Sequence, residues 1–249
     1  HAAVYALNIG PGDEVICPAI SFAASATCVL YCGGTPVFCD IERETMNIDV
    51  NLIEDLITDK TKAIVVVDFA GQPPNYHELR KICQKYNLAL VEDAAHSIGL
   101  KIECCQKSDS TPYVGGYADL TTYSFHPVKN MTTGEGGMIM TNNEQYAERM
   151  RRFRHHGIDT NYQDRKLYEY DIVDMCYNYR LTDIQCALGI SQLKRVEKWI
   201  ARRQEIAKIY DQAFSSFNEL FKPLENKFGS AYHIYIIQLN LENLDCSRE

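Results

Sequence analysis

The sequence predicts an α/β fold: a mostly parallel sheet with helices on both faces, followed by the start of a smaller α+β unit. Three observations lead there. Short β-rich runs alternate with helical patterns between residues 14 and 93, which is the signature of β-α-β crossovers. The run Ala63-Ile64-Val65-Val66-Val67 is apolar and largely β-branched, as a strand covered on both faces must be. Beyond Ala118 the pattern changes to two β-rich runs around a glycine-rich loop, then to long helices and a late strand.

The elements follow in order. Ala2 to Leu7 reads as an apolar helix already under way at the first residue, His1. After the turn Gly10-Pro11-Gly12-Asp13, Glu14 to Cys17 is a strand. A helix from about Ser21 to Tyr31 ends at Gly33-Gly34, and Pro36 to Asp40 is the next strand. Val50 to Ile57 has helical spacing, with Leu52, Ile53, Leu56 and Ile57 on one face. Ala63 to Val67 is a strand, Tyr76 to Tyr86 a helix, and Leu88 to Val91 a strand ending in Glu92-Asp93. Thr121 to Phe125 and Gly137 to Thr141 are two strands, Glu144 to His155 a charged helix, and Gly157 to Asn178 irregular and polar. Thr182 caps a long helix, a basic helix continues from Lys194 to Phe214, and Ala231 to Leu239 is a late strand.

Composition narrows the function classes. The chain has 249 residues, 46% hydrophobic and 23% charged, which excludes a disordered chain, a collagen-like repeat and a coiled coil. A net charge of −8 argues against nucleic acid or an anionic membrane as partner. No apolar run is long enough to span a bilayer. The ten cysteines show no zinc spacing. They read as reduced thiols of a cytoplasmic protein, with no metal expected. The polar stretch Cys104 to Ser110 reads as an insertion at a surface turn.

In a parallel α/β sheet, chemistry collects at the carboxyl ends of the strands. Three segments stand out there: Val91-Glu92-Asp93-Ala94-Ala95-His96-Ser97, Ser124-Phe125-His126-Pro127-Val128-Lys129, and Thr132-Thr133-Gly134-Glu135-Gly136-Gly137. Alone, Asp93 reads as a helix cap and Lys129 as a surface lysine. Together they are the set that pyridoxal phosphate needs: an amine for a Schiff base, a carboxylate for the pyridine nitrogen, and hydroxyls or backbone N–H groups for the phosphate. A carboxylate keeps the ring nitrogen protonated because the ion pair favours both charged forms.

These segments, with Pro18-Ala19-Ile20-Ser21-Phe22 and Tyr177-Asn178-Tyr179-Arg180-Leu181-Thr182-Asp183-Ile184-Gln185, stand in an order that resembles the DegT/DnrJ/EryC1/StrS family of nucleotide-sugar aminotransferases. The resemblance implies a fold-type I transferase with a large pyridoxal-phosphate-binding domain over 1–190 and an interdomain helix and start of a small C-terminal domain over 191–249. It implies Lys129 as the Schiff-base lysine and proton carrier, Asp93 on the pyridine nitrogen and His96 near the phenolic oxygen. Phe22 would stack on the ring, Ser124 would bind phosphate, and Asn178 would reach the phosphate of a neighbouring subunit's cofactor, making the active unit a homodimer. By sequence alone Phe22 reads equally as core, His96 as a satisfied polar residue, and Asn178 as a turn residue. Arg180 could reach a sugar phosphate or pair with Asp183, and His126, His155 and His156 could be substrate contacts or structural or solvated residues.

Within the family, Phe125 to Lys129, Arg154 to Ile158 and Tyr177 to Gly189 look most like the UDP-4-amino-4,6-dideoxy-N-acetyl-β-L-altrosamine transaminases, which make a pseudaminic acid precursor. That branch implies amino transfer from L-glutamate to C4 of a UDP-linked 4-keto-6-deoxy-N-acetylamino sugar. The alternatives are a 3- or 4-aminotransferase on another dTDP-, GDP- or UDP-keto-sugar, or a non-catalytic homologue acting as a binding or dimerising module. Against the family pattern, the first phosphate-binding turn is expected just before His1, and the small domain is expected to continue past Glu249.

Overall fold

The computed structural model describes residues 1–102, 113–159 and 169–244. Six strands, β1 (Glu14–Pro18), β2 (Thr35–Cys39), β3 (Thr61–Val67), β4 (Ala89–Asp93), β5 (Leu120–Ser124) and β6 (Gly137–Met140), form one sheet in the order β2-β1-β3-β4-β5-β6. Every neighbouring pair is parallel except β5 with β6. Such order needs crossover helices, and the sequence supplies them. They are α2 (Ala24–Tyr31), α3 (Val50–Ile53) and α4 (Tyr76–Tyr86), while α1 (Ala2–Ala6) precedes the sheet and α5 (Glu144–Phe153) follows it.

Side chains alternate across a strand, so each apolar strand feeds two cores. Ile16, Ile64, Val66 and Leu90 face one core, with Ile53 of α3 and Leu79 of α4. Val15, Ala63, Val65 and Val91 face the other, with Val4 of α1, Val29 of α2 and Met150 of α5. This covering of both faces is why Ala63 to Val67 carries no polar alternation. Local caps agree with the sequence: Asn75 Oδ1 accepts from Glu78 N at 3.3 Å at the start of α4, and Asn87 closes it in the left-handed conformation.

The second half departs from expectation in two places. The helices near residue 194 are separate: α6 (Asp183–Leu193) stops, and α7 (Val196–Phe214) starts after a break at residues 194–195. Val196 and Ile200 of α7 are buried in the first core and press on Gly99, whose added Cβ would lie 3.0 Å from Val196 Cγ1. The late strand is also shorter than its apolar pattern suggests. Only β8 (Ile237–Leu239) is strand, paired antiparallel with β7 (Phe221–Pro223). Residues 231–236 instead thread past the main sheet. Ala231 is buried and donates its N–H to Gly71 O at 2.9 Å, and Tyr232 takes a left-handed φ of 45°, which breaks strand geometry. An apolar run recruited by two different packing surfaces looks like one long strand in sequence.

Smaller differences sit at element ends. The helix expected from Ser21 begins at Ala24, leaving Phe22 in the preceding turn. The one expected from Val50 to Ile57 passes into a 3₁₀ turn at Glu54–Leu56. The Cys104 to Ser110 stretch lies outside the described residues. Among the described residues the cysteines are free, and burial pushes the thiols of Cys17 and Cys83 up to about 12. No helix of the described residues is long and apolar enough to cross a membrane.

Ile64 is fully buried at the centre of β3. Ile64→Ala should lower the unfolding free energy by about 2–5 kcal/mol, read by urea denaturation.

Candidate functional site

The site grows from the carboxyl end of β4. Because Val91 faces the α2 side, Asp93 two residues on faces it too, and Glu92 faces the opposite core. The Ser25 hydroxyl of α2 donates to Asp93 Oδ2 at 3.2 Å, and Ser21 bonds Ser25 at 2.6 Å. Asp93 Oδ1 accepts from the N–H of Ala95 at 3.1 Å. Burial pushes the Asp93 carboxyl up; the Ala95 and Ser25 hydrogen bonds and the charge of Lys129 oppose that shift. A cation brought against Asp93 therefore recovers its ionised form.

The chain then turns tightly. Ala94 N donates to Thr122 O of β5 at 2.9 Å, and Ser97 N to Ala94 O at 3.1 Å. His96 sits in this turn, and the neighbouring strand β5 brings in Lys129. After Ser124, a turn closed by Lys129 N to His126 O at 3.0 Å returns Lys129 towards Asp93, close enough for each charge to act on the other. Burial lowers the Lys129 pKa, and Asp93 opposes that shift. An amine with a lowered pKa is the form that attacks a carbonyl. Ser124 Oγ accepts from His126 N at 3.3 Å, which anchors the turn.

The glycine-rich loop is bound tightly to itself. Phe125 N donates to Gly136 O at 2.8 Å, and Thr132 Oγ1 to Phe125 O at 2.9 Å. At Gly136 an added Cβ would come within 2.5 Å of Thr133 Oγ1, at a φ of 151°. Only glycine fits that crossing. The start of α6 clamps the loop: Thr182 and Gln185 form a capping box, and Gln185 Nε2 donates to Glu135 O at 2.8 Å.

Asp93, His96, Ser124 and Lys129 thus meet at one sheet edge. Phe22 precedes α2 and is 79% exposed, its carbonyl accepting from the N–H of Ser25, whose hydroxyl reaches Asp93, at 3.1 Å. The core alternative for Phe22 is excluded. Asn178 does not join them within the chain. It is exposed, bridged to His155, and its Oδ1 accepts from Arg180 N at 3.4 Å. Arg180 pairs with His155 at 2.8 Å rather than reaching the cluster.

The sequence reading missed four contributors. Ser25 looked like an ordinary helix residue, and Asn130, the residue after Lys129, carried no signal of its own. His233 lay in the run mistaken for strand. Its ring rests on His96 with centroids 4.4 Å apart, and Arg203 of α7 holds its backbone through bonds to the Tyr232 and His233 carbonyls at 3.1 and 3.3 Å. Asn130 Nδ2 donates to His96 O at 3.0 Å. Three buried polar atoms of this group, His96 Nδ1, His233 Nδ1 and Asn130 Oδ1, have no partner among the described residues. Buried polar atoms are almost always bonded, so the cluster is built for a ligand carrying polar groups. An amine, a carboxylate, unpaired imidazoles and an open aromatic face suit a planar, anionic, carbonyl-bearing cofactor.

Burial and the Lys129 charge lower the His96 pKa to about 3, and burial with Lys129 and Arg203 lowers that of His233 to about 4. Both folded values lie below the unfolded value of about 6.5. Keeping the rings neutral therefore adds stability that is fully present above pH ~6.5 and is lost as the pH falls towards the folded values. The double variant His96→Gln/His233→Gln should lose less stability than wild type between pH ~7 and ~5, measured by denaturant midpoints at each pH.

Comparison with known proteins bears on this geometry. Across a 253-position alignment the chain is 40% identical to an uncharacterised protein, MJ1066, of Methanocaldococcus jannaschii, covering 100% of this chain and 64% of that one. It is 35% identical to Helicobacter pylori PseC, an aminotransferase involved in the biosynthesis of pseudoaminic acid, with a TM-score of 0.85 over 97% of this chain and 64% of that one. It is 31% identical to Bacillus subtilis NtdA, solved with bound cofactor PMP, with a TM-score of 0.85 over 97% of this chain and 53% of that one. The chain thus spans less than two thirds of the length of each. The family model for DegT/DnrJ/EryC1/StrS aminotransferases matches residues 1–248. With a mainly parallel sheet carrying this site at its carboxyl edge, the chain belongs to the DegT/DnrJ/EryC1/StrS aminotransferase family.

Proposed function

We propose that this chain is the cofactor-holding part of a pyridoxal-phosphate-dependent aminotransferase. It would move an amino group from L-glutamate to C4 of a UDP-linked 4-keto-6-deoxy-N-acetylamino sugar. The observation that carries the proposal is the meeting of Asp93, His96 and Lys129 at one sheet edge, where burial lowers the lysine's pKa. The cofactor-bound state of NtdA supports the cofactor, and the likeness to PseC supports the sugar.

Pyridoxal phosphate, when bound, supplies an electron sink for charge developing on the carbon next to the transferred nitrogen. The residues of the chain do the rest. Asp93, fixed by Ser25 and Ala95, would hold the ring nitrogen protonated. His96, kept neutral by its burial, would stand against the phenolic oxygen as a hydrogen-bond partner without adding charge. Ser124 would bind phosphate, and Phe22 would lay its exposed ring on the pyridine. Lys129 Nζ would bind the cofactor carbonyl and, once released, carry the proton between the cofactor and sugar carbons. Positioned proton transfer of this kind contributes about 10²–10⁴ in rate.

A homodimer with shared sites follows from the same proposal. Met175 is 91% and Ile184 is 85% exposed, and large exposed apolar side chains clustered near a site mark an interface. Asn178, three residues from Met175, would cross to the phosphate of the partner's cofactor. We place the large domain over 1–190 and the start of the smaller one over 191–249. The free thiols suit a cytoplasmic setting.

The intact protein mixed with pyridoxal phosphate should take on a visible absorption band, and Lys129→Ala should abolish both the band and amino transfer. A colourless wild type overturns the cofactor assignment. A panel of UDP-, dTDP- and GDP-linked 3- and 4-keto-sugars with glutamate should give C4 amination of the UDP sugar, and a product from any other sugar in its place overturns the substrate assignment. Ile184→Asp should convert dimer to monomer in sedimentation.

A further inference from the structure

On the face of the sheet opposite Asp93 lies a second set of acids that the proposed chemistry does not use. Asp68 follows β3 directly, and Glu92 is the penultimate residue of β4; both are 0% exposed. The Tyr76 hydroxyl donates to Asp68 Oδ1 at 2.7 Å, and the Ser97 hydroxyl donates to Asp68 Oδ2. Thr121 Oγ1 donates to Glu92 Oε2 at 2.8 Å, while Glu92 Oε1 is buried without a partner. Burial and the facing Glu92 push the Asp68 carboxyl well above the usual carboxylate range, and burial also raises Glu92. Each of the two buried carboxyls thus disfavours ionisation of the other.

Asp68 touches the catalytic turn at two points. Its backbone N–H donates to Asp93 O at 3.1 Å, and its side chain takes the Ser97 hydroxyl. Between these two anchors lie the Asp93 carboxyl and the His96 ring. The turn's internal bonds, Ala95 N to Asp93 Oδ1 and Ser97 N to Ala94 O, close the segment on itself but do not attach it to β3. The attachment comes from Asp68. A carboxyl suits the position because both its oxygens accept, one for each hydroxyl. An amide accepts at only one atom and turns an N–H₂ towards the other hydroxyl.

We propose that Asp68 is a positioning residue that clamps the 93–97 turn at both ends, through its backbone N–H on Asp93 O and its carboxyl on the Ser97 hydroxyl, and so sets where Asp93 and His96 stand. The clamp is independent of the function proposed above; its effect on the cofactor rests on that function.

The test uses the intact protein and three variants. Asp68→Asn and Ser97→Ala each break the side-chain anchor. Tyr76→Phe removes the other hydroxyl and leaves the turn's anchor in place. In cofactor-free protein, hydrogen exchange at amides 94–97 should rise about tenfold in Asp68→Asn and Ser97→Ala, with the amides of β1 and β3 unchanged, as loss of one buried hydrogen bond allows. Tyr76→Phe should leave the turn amides at their wild-type rate. In the loaded protein, the first two variants should bind pyridoxal phosphate about tenfold more weakly and shift the pH midpoint of the visible band, and Tyr76→Phe should do neither. Unchanged exchange at 94–97, or exchange raised uniformly through the sheet, overturns the clamp. Faster turn exchange with unchanged cofactor affinity and band overturns its effect on the site. A wild type that takes no cofactor defeats the proposed function, and exchange alone then decides the clamp. Should Asp68→Asn not fold, Ser97→Ala, which removes a single oxygen, carries the same comparison.

Discussion

Strand β4 lies between β3 and β5 and ends in two consecutive acids, Glu92 and Asp93. The pleat sends them to opposite faces, Glu92 fully buried and Asp93 partly so. Each acid must be solvated by the protein, because a buried carboxyl without hydrogen bonds costs several kcal/mol. On one face the solution is Ser25, the Ala95 N–H and the nearby lysine. On the other it is Thr121 for Glu92, with Tyr76 and Ser97 serving the neighbouring Asp68. Much of what surrounds the site exists to satisfy those two groups: the turn after β4, the serine in α2, and the hydroxyls on β5 and α4.

The same crowding tunes the basic groups. Lys129, His96 and His233 share one partly dehydrated region, and every one of them is pushed away from its charged form. A cluster of bases in contact keeps its members neutral because adding a charge near an existing one in a poor dielectric is costly. The two imidazoles make the more extreme adjustment, which leaves the lysine as the group whose charge Asp93 still supports. One acid and three bases thus settle into a state with a nucleophilic amine beside a carboxyl awaiting a cation.

Most of the fold was legible in the sequence. Alternation of short strands and helices predicted the mostly parallel sheet of a crossover fold, and Tyr76 to Tyr86 was placed to the residue; in the structure an Asn cap and a left-handed Asn stop bracket it. The site was legible where function needs a particular residue at a strand end, as at Asp93 and Lys129. It was illegible where the residue is distant in sequence and ordinary in type. His233 arrives through a left-handed break at Tyr232 inside an apolar run, and nothing in local periodicity marks such a break. Asp68 looked like a strand-end residue, since its role depends on a serine in a turn after the next strand. Asn178 was singled out by a motif, but the single chain leaves it facing away from the cluster, where periodicity has no power to place it.

The double grip of Arg203 on the carbonyls of Tyr232 and His233 has a mechanical side. That grip ties a helix of nineteen residues, α7, to one imidazole in contact with the turn after β4. Gln204 Nε2 holds Ser230 O at 2.9 Å, so two successive helix residues carry the segment as a bracket. The segment that carries His233 is thus fixed to α7 at three carbonyls, so the His96–His233 stack is positioned by a helix remote from the turn in sequence.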